Sequence, residues 1–303
     1  MTLFEGNQTL QFKEKRKYIT NLCSLQDGGL LSVRSMKVTE WNPSTGQAKM
    51  TVKFHKAYES DGIRSICQQE NGLVAIAVNN AVMRYNFGNQ KSHLFLKLPL
   101  WTHNNALLCP LSNGNLATAF DDRTGIWSRK GKEIITFRNR RKQVASMLQL
   151  NNGFLATGFA GNGLIKLWDL EKQECVMDLD NNPAINLRLC QLQDGTFVAG
   201  CDSDVLRMEI DERILLWDIR TPKKYFDKFC RENINSLCQL HDGRLLTSDD
   251  TGKLKIWNLR GRKVYCEKII DLDCSKLCQL MDGTMAVTQY DEYTNNSKIC
   301  ILE

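Results

Sequence analysis

Leu237-Cys-Gln-Leu-His-Asp-Gly-Arg-Leu-Leu246 is the stretch on which the reading of this chain turns. Its Asp-Gly pair is a turn signal, and the apolar residues on either side suit strands. The string returns as Leu189-Cys-Gln-Leu-Gln-Asp-Gly-Thr-Phe-Val198 and as Leu277-Cys-Gln-Leu-Met-Asp-Gly-Thr-Met-Ala286. Looser copies complete a series of glycines at Gly28, Gly72, Gly114, Gly153, Gly195, Gly243 and Gly283, spaced by 44, 42, 39, 42, 48 and 40 residues. Each is preceded by Asp or Asn: Asp27, Asn71, Asn113, Asn152, Asp194, Asp242 and Asp282. Self-similarity at a period near 40 residues marks an architecture of stacked units.

Asx-Gly favours positive φ at both central residues of a two-residue turn, which predicts a tight hairpin at each site. Six residues before each glycine stand Leu22, Ile66, Leu108, Met147, Leu189, Leu237 and Leu277. Two residues after it stand Leu30, Val74, Leu116, Leu155, Phe197, Leu245 and Met285, and the next position is apolar too. Apolar neighbours on successive positions predict strands buried on both faces. A third strand ends in an aromatic at Trp41, Tyr85, Trp127, Trp168, Trp217 and Trp257, and fourth strands follow, as at 48–54, 93–98, 133–137, 175–179, 225–230 and 264–269.

That leaves six fourth strands for seven repeats, while residues 8–13 read as a lone strand ahead of the first. Pairing it with the last strand, around Ile299-Cys-Ile301, would close a ring and satisfy an otherwise open edge. The expectation is an all-β, seven-bladed β-propeller with four antiparallel strands per blade. It forms one domain over 8–303, with repeats beginning near 18, 62, 105, 144, 185, 233 and 274 and a closing strand at 8–13.

Leu-Trp168-Asp169-Leu and Leu-Trp217-Asp218-Ile, with weaker copies at Trp257-Asn258, Trp41-Asn42 and Trp127-Ser128, make the chain resemble the WD40-repeat family. It lacks the Gly-His dipeptides usual in that family, and its only histidines are His55, His93, His103 and His241. The family's His–Ser–Asp–Trp hydrogen-bond chain therefore cannot form in most blades. The resemblance implies a protein-interaction scaffold or adaptor that binds partner segments on its top face.

Composition sets outer bounds. The chain has 303 residues, 42% hydrophobic and 24% charged, with a net charge of +6 that permits an anionic partner without demanding one. No apolar run is long enough to span a bilayer, and the first ten residues lack the apolar core of a signal peptide. Twelve cysteines without a secretory signal point to a reducing interior, cytoplasmic or nuclear.

Cys23, Cys67, Cys109, Cys190, Cys238 and Cys278 occupy one repeat position, as small buried residues would on a crowded strand. No Cys-x-x-Cys pair exists, and neither a metal nor a cofactor is expected. Gln68, Gln149, Gln191, Gln239 and Gln279 follow those positions, and amide bonding between blades or to channel water is the ordinary use of such residues. Turn acids such as Asp121-Asp122, Asp202-Ser-Asp204 and Ser248-Asp249-Asp250 fit Asx-turn chemistry.

Nucleophile-elbow, zinc-helix and phosphate-loop motifs are absent, which argues against an enzyme. Tyr58 and Trp101 lie in connections between blades, outside the repeat's aromatic slot, and the basic run Arg138-Asn-Arg140-Arg141-Lys joins two further blades. Tyr, Trp and Arg dominate binding hot spots, so Tyr58, Trp101, Arg138, Arg140 and Arg141 are the candidate partner contacts. Charge runs in turns are ordinarily just solvated, and aromatics between blades also serve as plugs. Phe137-Arg-Asn-Arg-Arg141 loosely resembles a phosphoinositide-binding signature, which keeps an anionic lipid or nucleic-acid surface as the alternative partner. Two long connections, 203–213 and 291–297, are further places where function can sit.

Overall fold

In the computed structural model the described residues are 8–11, 18–54, 62–78, 81–97, 106–120, 122–139, 143–161, 163–179, 187–201, 213–218, 223–229, 233–259, 264–291 and 296–302. A lone strand, β1 (Gln8–Gln11), comes first. Sheet 1 follows with β2 (Asn21–Ser24), β3 (Leu30–Arg34), β4 (Lys37–Asn42) and β5 (Gln47–Lys53). Sheet 2 holds β6 (Ile63–Gln68), β7 (Val74–Val78), β8 (Ala81–Asn86) and β9 (Lys91–Lys97). Sheet 3 holds β10 (Leu107–Pro110), β11 (Leu116–Phe120), β12 (Arg123–Trp127) and β13 (Glu133–Arg138). Sheet 4 holds β14 (Val144–Gln149), β15 (Leu155–Phe159), β16 (Ile165–Asp169) and β17 (Glu174–Leu179). Sheet 5 holds β18 (Leu187–Gln191), β19 (Phe197–Cys201), β20 (Arg213–Asp218) and β21 (Lys223–Phe229). Sheet 6 holds β22 (Ile234–Gln239), β23 (Leu245–Asp249), β24 (Lys253–Asn258) and β25 (Tyr265–Asp271).

These six sheets each take four consecutive strands. The remaining sheet is composite: β26 (Cys274–Gln279), β27 (Met285–Asp291) and β28 (Asn296–Leu302) are completed by β1, in the order β1-β28-β27-β26. Its register sets Gln8 opposite Ile301 and Gln11 opposite Lys298, so the two ends of the chain share one antiparallel ladder. The first strand of each sheet packs against the first strand of the next, from β2 through β6, β10, β14, β18 and β22 to β26, and β26 returns to β2. These inner strands enclose an axis.

The turn chemistry corrects the sequence reading. In each Asx-Gly hairpin only the glycine has positive φ, between 77° and 90°. In the first, the N–H of Gly28 donates to Leu25 O (3.0 Å) and the N–H of Leu25 to Gly29 O (2.9 Å). Asp27 Oδ1 accepts the N–H of Gly29 at 3.0 Å. The same side-chain bond forms at Asn71, Asn113, Asn152, Asp194, Asp242 and Asp282. This is a type I turn with a glycine bulge. The loop has one residue more than the reading assumed, so the Asx keeps negative φ and spends its carboxyl or amide oxygen on the turn.

Burial follows position in the sheet. The second strands β3, β7, β11, β15 and β23 are buried at every residue, whereas outer strands such as β5 and β25 are largely exposed. Apolar clusters bridge neighbouring sheets: Leu150, Ile165 and Leu167 with Phe197, and Ile19, Leu30 and Trp41 with Ala286, Ile299 and Ile301. Adjoining sheets thus seal each other through side chains, the main source of stability in a ring of separate ladders.

The indole N–H of Trp41, Trp127, Trp168 and Trp257 donates to Ser32, Thr118, Thr157 and Thr247 at 2.8–2.9 Å. The tryptophan–hydroxyl link survives where the histidine partner does not exist. The pairing of third and fourth strands shifts by one residue at Trp41, Trp127, Trp168, Trp217 and Trp257. In sheet 2, where Tyr85 replaces tryptophan, the shift falls at Val82/Met83 instead.

Strand limits differ from expectation in one further place. Positions 291 and 296 are themselves paired, Asp291 opposite Asn296, because β27 and β28 are longer than the other ladders. The proposed long connection 291–297 therefore shrinks to 292–295, which lies outside the described residues. Of the closing strand placed at 8–13, residues 8–11 are described, and most of 203–213 lies outside the described residues.

Candidate functional site

The repeat positions singled out in the sequence meet around the axis. Gln68 Oε1 accepts the backbone N–H of Gln26 (2.7 Å) from the preceding sheet, while Gln68 Nε2 donates to its own hairpin at Gly72 O (3.2 Å). Gln149 joins Ser112 to Gly153 in the same way. Gln191 joins Asn151 to Gly195, and Gln239 joins Gln193 to Gly243. Four of the five glutamines are thus clasps between adjacent sheets. Gln279 makes no such bond to His241, whose imidazole lies over Gly283.

The cysteines occupy the preceding repeat position on the inner strands. Burial pushes Cys23, Cys109 and Cys190 up to about 11 and Cys278 up to about 12. A backbone N–H of the next sheet faces each of these sulfurs, from Gln68, Gln149, Gln239 and Ser24 respectively, and offsets part of the rise. Such thiols stay protonated and are poor nucleophiles. Among the described residues no three His, Cys, Asp or Glu side chains are grouped to hold a metal ion.

The turn acid Asp249 is 3% exposed and held by its own turn. Its Oδ1 accepts the N–H of Thr251 and of Lys253 (both 3.0 Å) and the Thr251 hydroxyl (2.7 Å), and Lys255 Nζ stands 3.0 Å from Oδ2. It pins the turn between β23 and β24. Asp169 caps the turn after β16, accepting the N–H of Glu171 and Lys172 at 2.9 Å. Those backbone bonds, chiefly from Lys172, lower its pKa.

At the end of the axis where the inner strands begin, a cavity of about 580 Å³ opens. Every sheet contributes to its wall: Asn21, Arg64, Leu107, Ala145, Arg188, Asn235 and Lys276 each come from a different one. The wall is laced between sheets. Asn21 Nδ2 donates to Arg64 O (3.3 Å), Ser65 Oγ accepts the N–H of Leu108 (3.2 Å), and Arg188 Nε donates to Asn235 O (3.0 Å). A concave space of this size with convergent polar groups is the candidate binding mouth of the described residues.

Of the five candidate contacts, Arg138 ends β13 as an exposed residue, at the end of the ring from which β14 starts. Tyr58, Trp101, Arg140 and Arg141 lie outside the described residues. Sequence reasoning missed Arg64, Arg188 and Lys276. Superposing the repeats on their cysteine position would have exposed the latter two, since Arg188 and Lys276 both stand two residues before it.

A ring of four-stranded sheets around an axial channel is a β-propeller. Two solved structures share the shape over nearly the whole chain. A chain from the mitotic checkpoint complex matches with TM-score 0.77 and 15% identity, covering 99% of this chain and 92% of that one. U3-55K matches with TM-score 0.77 and 12% identity, covering 97% of this chain and 98% of that one. The chain therefore has the WD40-type propeller fold in a divergent sequence. No protein-family model matches it, and comparison with curated proteins finds no match. Among the described residues no helix is long and apolar enough to cross a membrane.

Proposed function

We propose that this chain is a non-enzymatic interaction scaffold that receives a segment of another protein at the rim around the channel mouth. The observation that carries this reading is the polar cavity to which every sheet contributes. Sheets locked by glutamine clasps and shared apolar clusters hold the rim residues in fixed relation, so little conformational entropy is lost on binding. Arg138 ends the outermost strand of its sheet at the same end of the ring, and Tyr58, Trp101, Arg140 and Arg141 belong by sequence to connections between sheets. The cysteine-rich composition supports a reducing, intracellular setting.

Proximity labelling in the native cell tests the proposal. The unaltered chain is compared with a variant carrying Tyr58→Ala, Trp101→Ala and Arg138→Glu, and with an opposite-rim control, Lys130→Glu with Lys132→Glu. A reproducible set of labelled proteins that disappears in the first variant and persists in the control is expected. The same set in both variants, or none above a tag-only background, overturns it.

A further inference from the structure

Lys276 is the only lysine among the described residues that line the channel mouth. It lies on β26, the inner strand of sheet 7, and its backbone N–H donates to Thr288 Oγ1 at 3.0 Å on β27. Its side chain is half-buried. Other lysines of the ring are answered by acids: Lys49, Lys166, Lys172 and Lys255 stand 2.7–3.7 Å from carboxylate oxygens. The Lys276 amine has no carboxylate partner and no hydrogen bond among the described residues.

The charged residues that share this wall are Arg64 on β6 and Arg188 on β18. The lining from the adjoining sheets is uncharged, with Asn235 and Ser236 on one side and Thr20 and Asn21 on the other. Burial lowers the pKa of the Lys276 amine, and the charge of Arg188 lowers it further. A desolvated lysine beside another cation is an activated nucleophile, because more of it is neutral at physiological pH. The nearby Cys278 thiol does not compete, since burial pushes it up to about 12.

We propose that Lys276 is a site of acyl modification in the channel mouth, taking short acyl groups from thioesters. The neutral Nζ attacks the thioester carbonyl carbon; an N–C bond forms and the C–S bond breaks. The thiolate leaves with the electron pair and takes up the proton that the nitrogen gives up, so the products are an amide and a thiol. The amide is uncharged, and a half-buried wall holds it at less desolvation cost than the ammonium it replaces. The space of about 580 Å³ in front of the amine admits a short acyl chain. The assignment goes beyond the scaffold reading and does not depend on a partner docking at the rim.

Acetylation of the full folded chain by the acetyl thioester of N-acetylcysteamine, a neutral donor, tests it. Nα-acetyl-lysine amide in the same tube is the internal standard, and peptide mass spectrometry reads each site between about pH 7 and 10. Near neutral pH, Lys276 should react at least about threefold faster than the standard, since each pKa unit lost raises the neutral fraction about tenfold. It should outpace the exposed Lys130 and Lys132 of the opposite rim by a similar factor. Its rate should level off at a lower pH than that of the standard, a shift that slow entry to the cavity cannot produce. In the chain unfolded by urea the advantage should vanish. A Lys276 no faster than Lys130 and Lys132, a rate that levels off with the standard, or an advantage that survives unfolding overturns the site. None of these outcomes bears on the labelling experiment, so the two readings fall separately.

Discussion

Gln239 Oε1 accepts the backbone N–H of Gln193 at 2.7 Å, across the junction between sheets 6 and 5. The same amide donates to Gly243 O at 3.0 Å, so one side chain ties a hairpin to its neighbour. Removing it leaves a backbone donor of the adjoining turn to solvent. Gln239→Ala should cost about 1 kcal/mol, the net worth of a partly exposed hydrogen-bond pair. Gln279→Ala, at the repeat position that forms no clasp, should cost distinctly less. Urea denaturation of the two variants decides, and equal losses would show that the clasp contributes nothing.

Two hairpin glycines of nearly equal φ separate backbone strain from crowding. A Cβ at Gly153 (φ +88°) meets nothing within 4 Å, whereas one at Gly283 (φ +90°) would run into the His241 ring at Cδ2. Gly153→Ala should cost about 1–2 kcal/mol for the left-handed conformation alone. Gly283→Ala should cost more, and His241→Ala should remove the excess. Thermal melts of the single and double variants check it; an excess that persists without the imidazole refutes the crowding account.

Thr157 is fully buried, and its hydroxyl receives the Trp168 indole N–H at 2.8 Å. Trp168→Phe leaves that hydroxyl without its donor in an apolar setting, at a cost of about 1–3 kcal/mol. Adding Thr157→Val removes the orphaned group and should recover part of the loss. A double-mutant cycle with no coupling would mean the bond is incidental.

The buried thiols set an alkaline limit. Their ordinary value is 9.0, and burial carries Cys23, Cys109 and Cys190 to about 11. Below pH 9 both folded and unfolded chains hold these protons, so the stability is whole. Between pH 9 and 11 the unfolded chain releases them first, and stability falls by up to about 1.4 kcal/mol per thiol per pH unit. The melting temperature in reducing buffer should therefore drop across that window, less steeply in Cys109→Ala. A flat profile from pH 9 to 11 contradicts the burial of these groups.

The local grammar of the fold was legible in the chain itself. The Asx-Gly strings, the doubly apolar positions after them and the terminal tryptophans located the inner, second and third strands, because each is a short-range demand of turn chemistry or burial. The turn type was misjudged for a local reason as well. Counting Asp-Gly as a two-residue loop ignored the preceding Leu-x, which the backbone includes in the turn. Glutamine clasps were foreseen in kind, since a recurring amide on a crowded strand needs a partner.

Amino-acid order alone determined where the strands and hairpins lie, since those depend on neighbours a few residues apart. Which cations meet was decided only in three dimensions. Arg64, Arg188 and Lys276 stand far apart in the chain and share no motif, yet they line one cavity because the sheets that carry them converge on an axis. Charge placement across an axis depends on how successive ladders pack, and no short-range pattern encodes that distance.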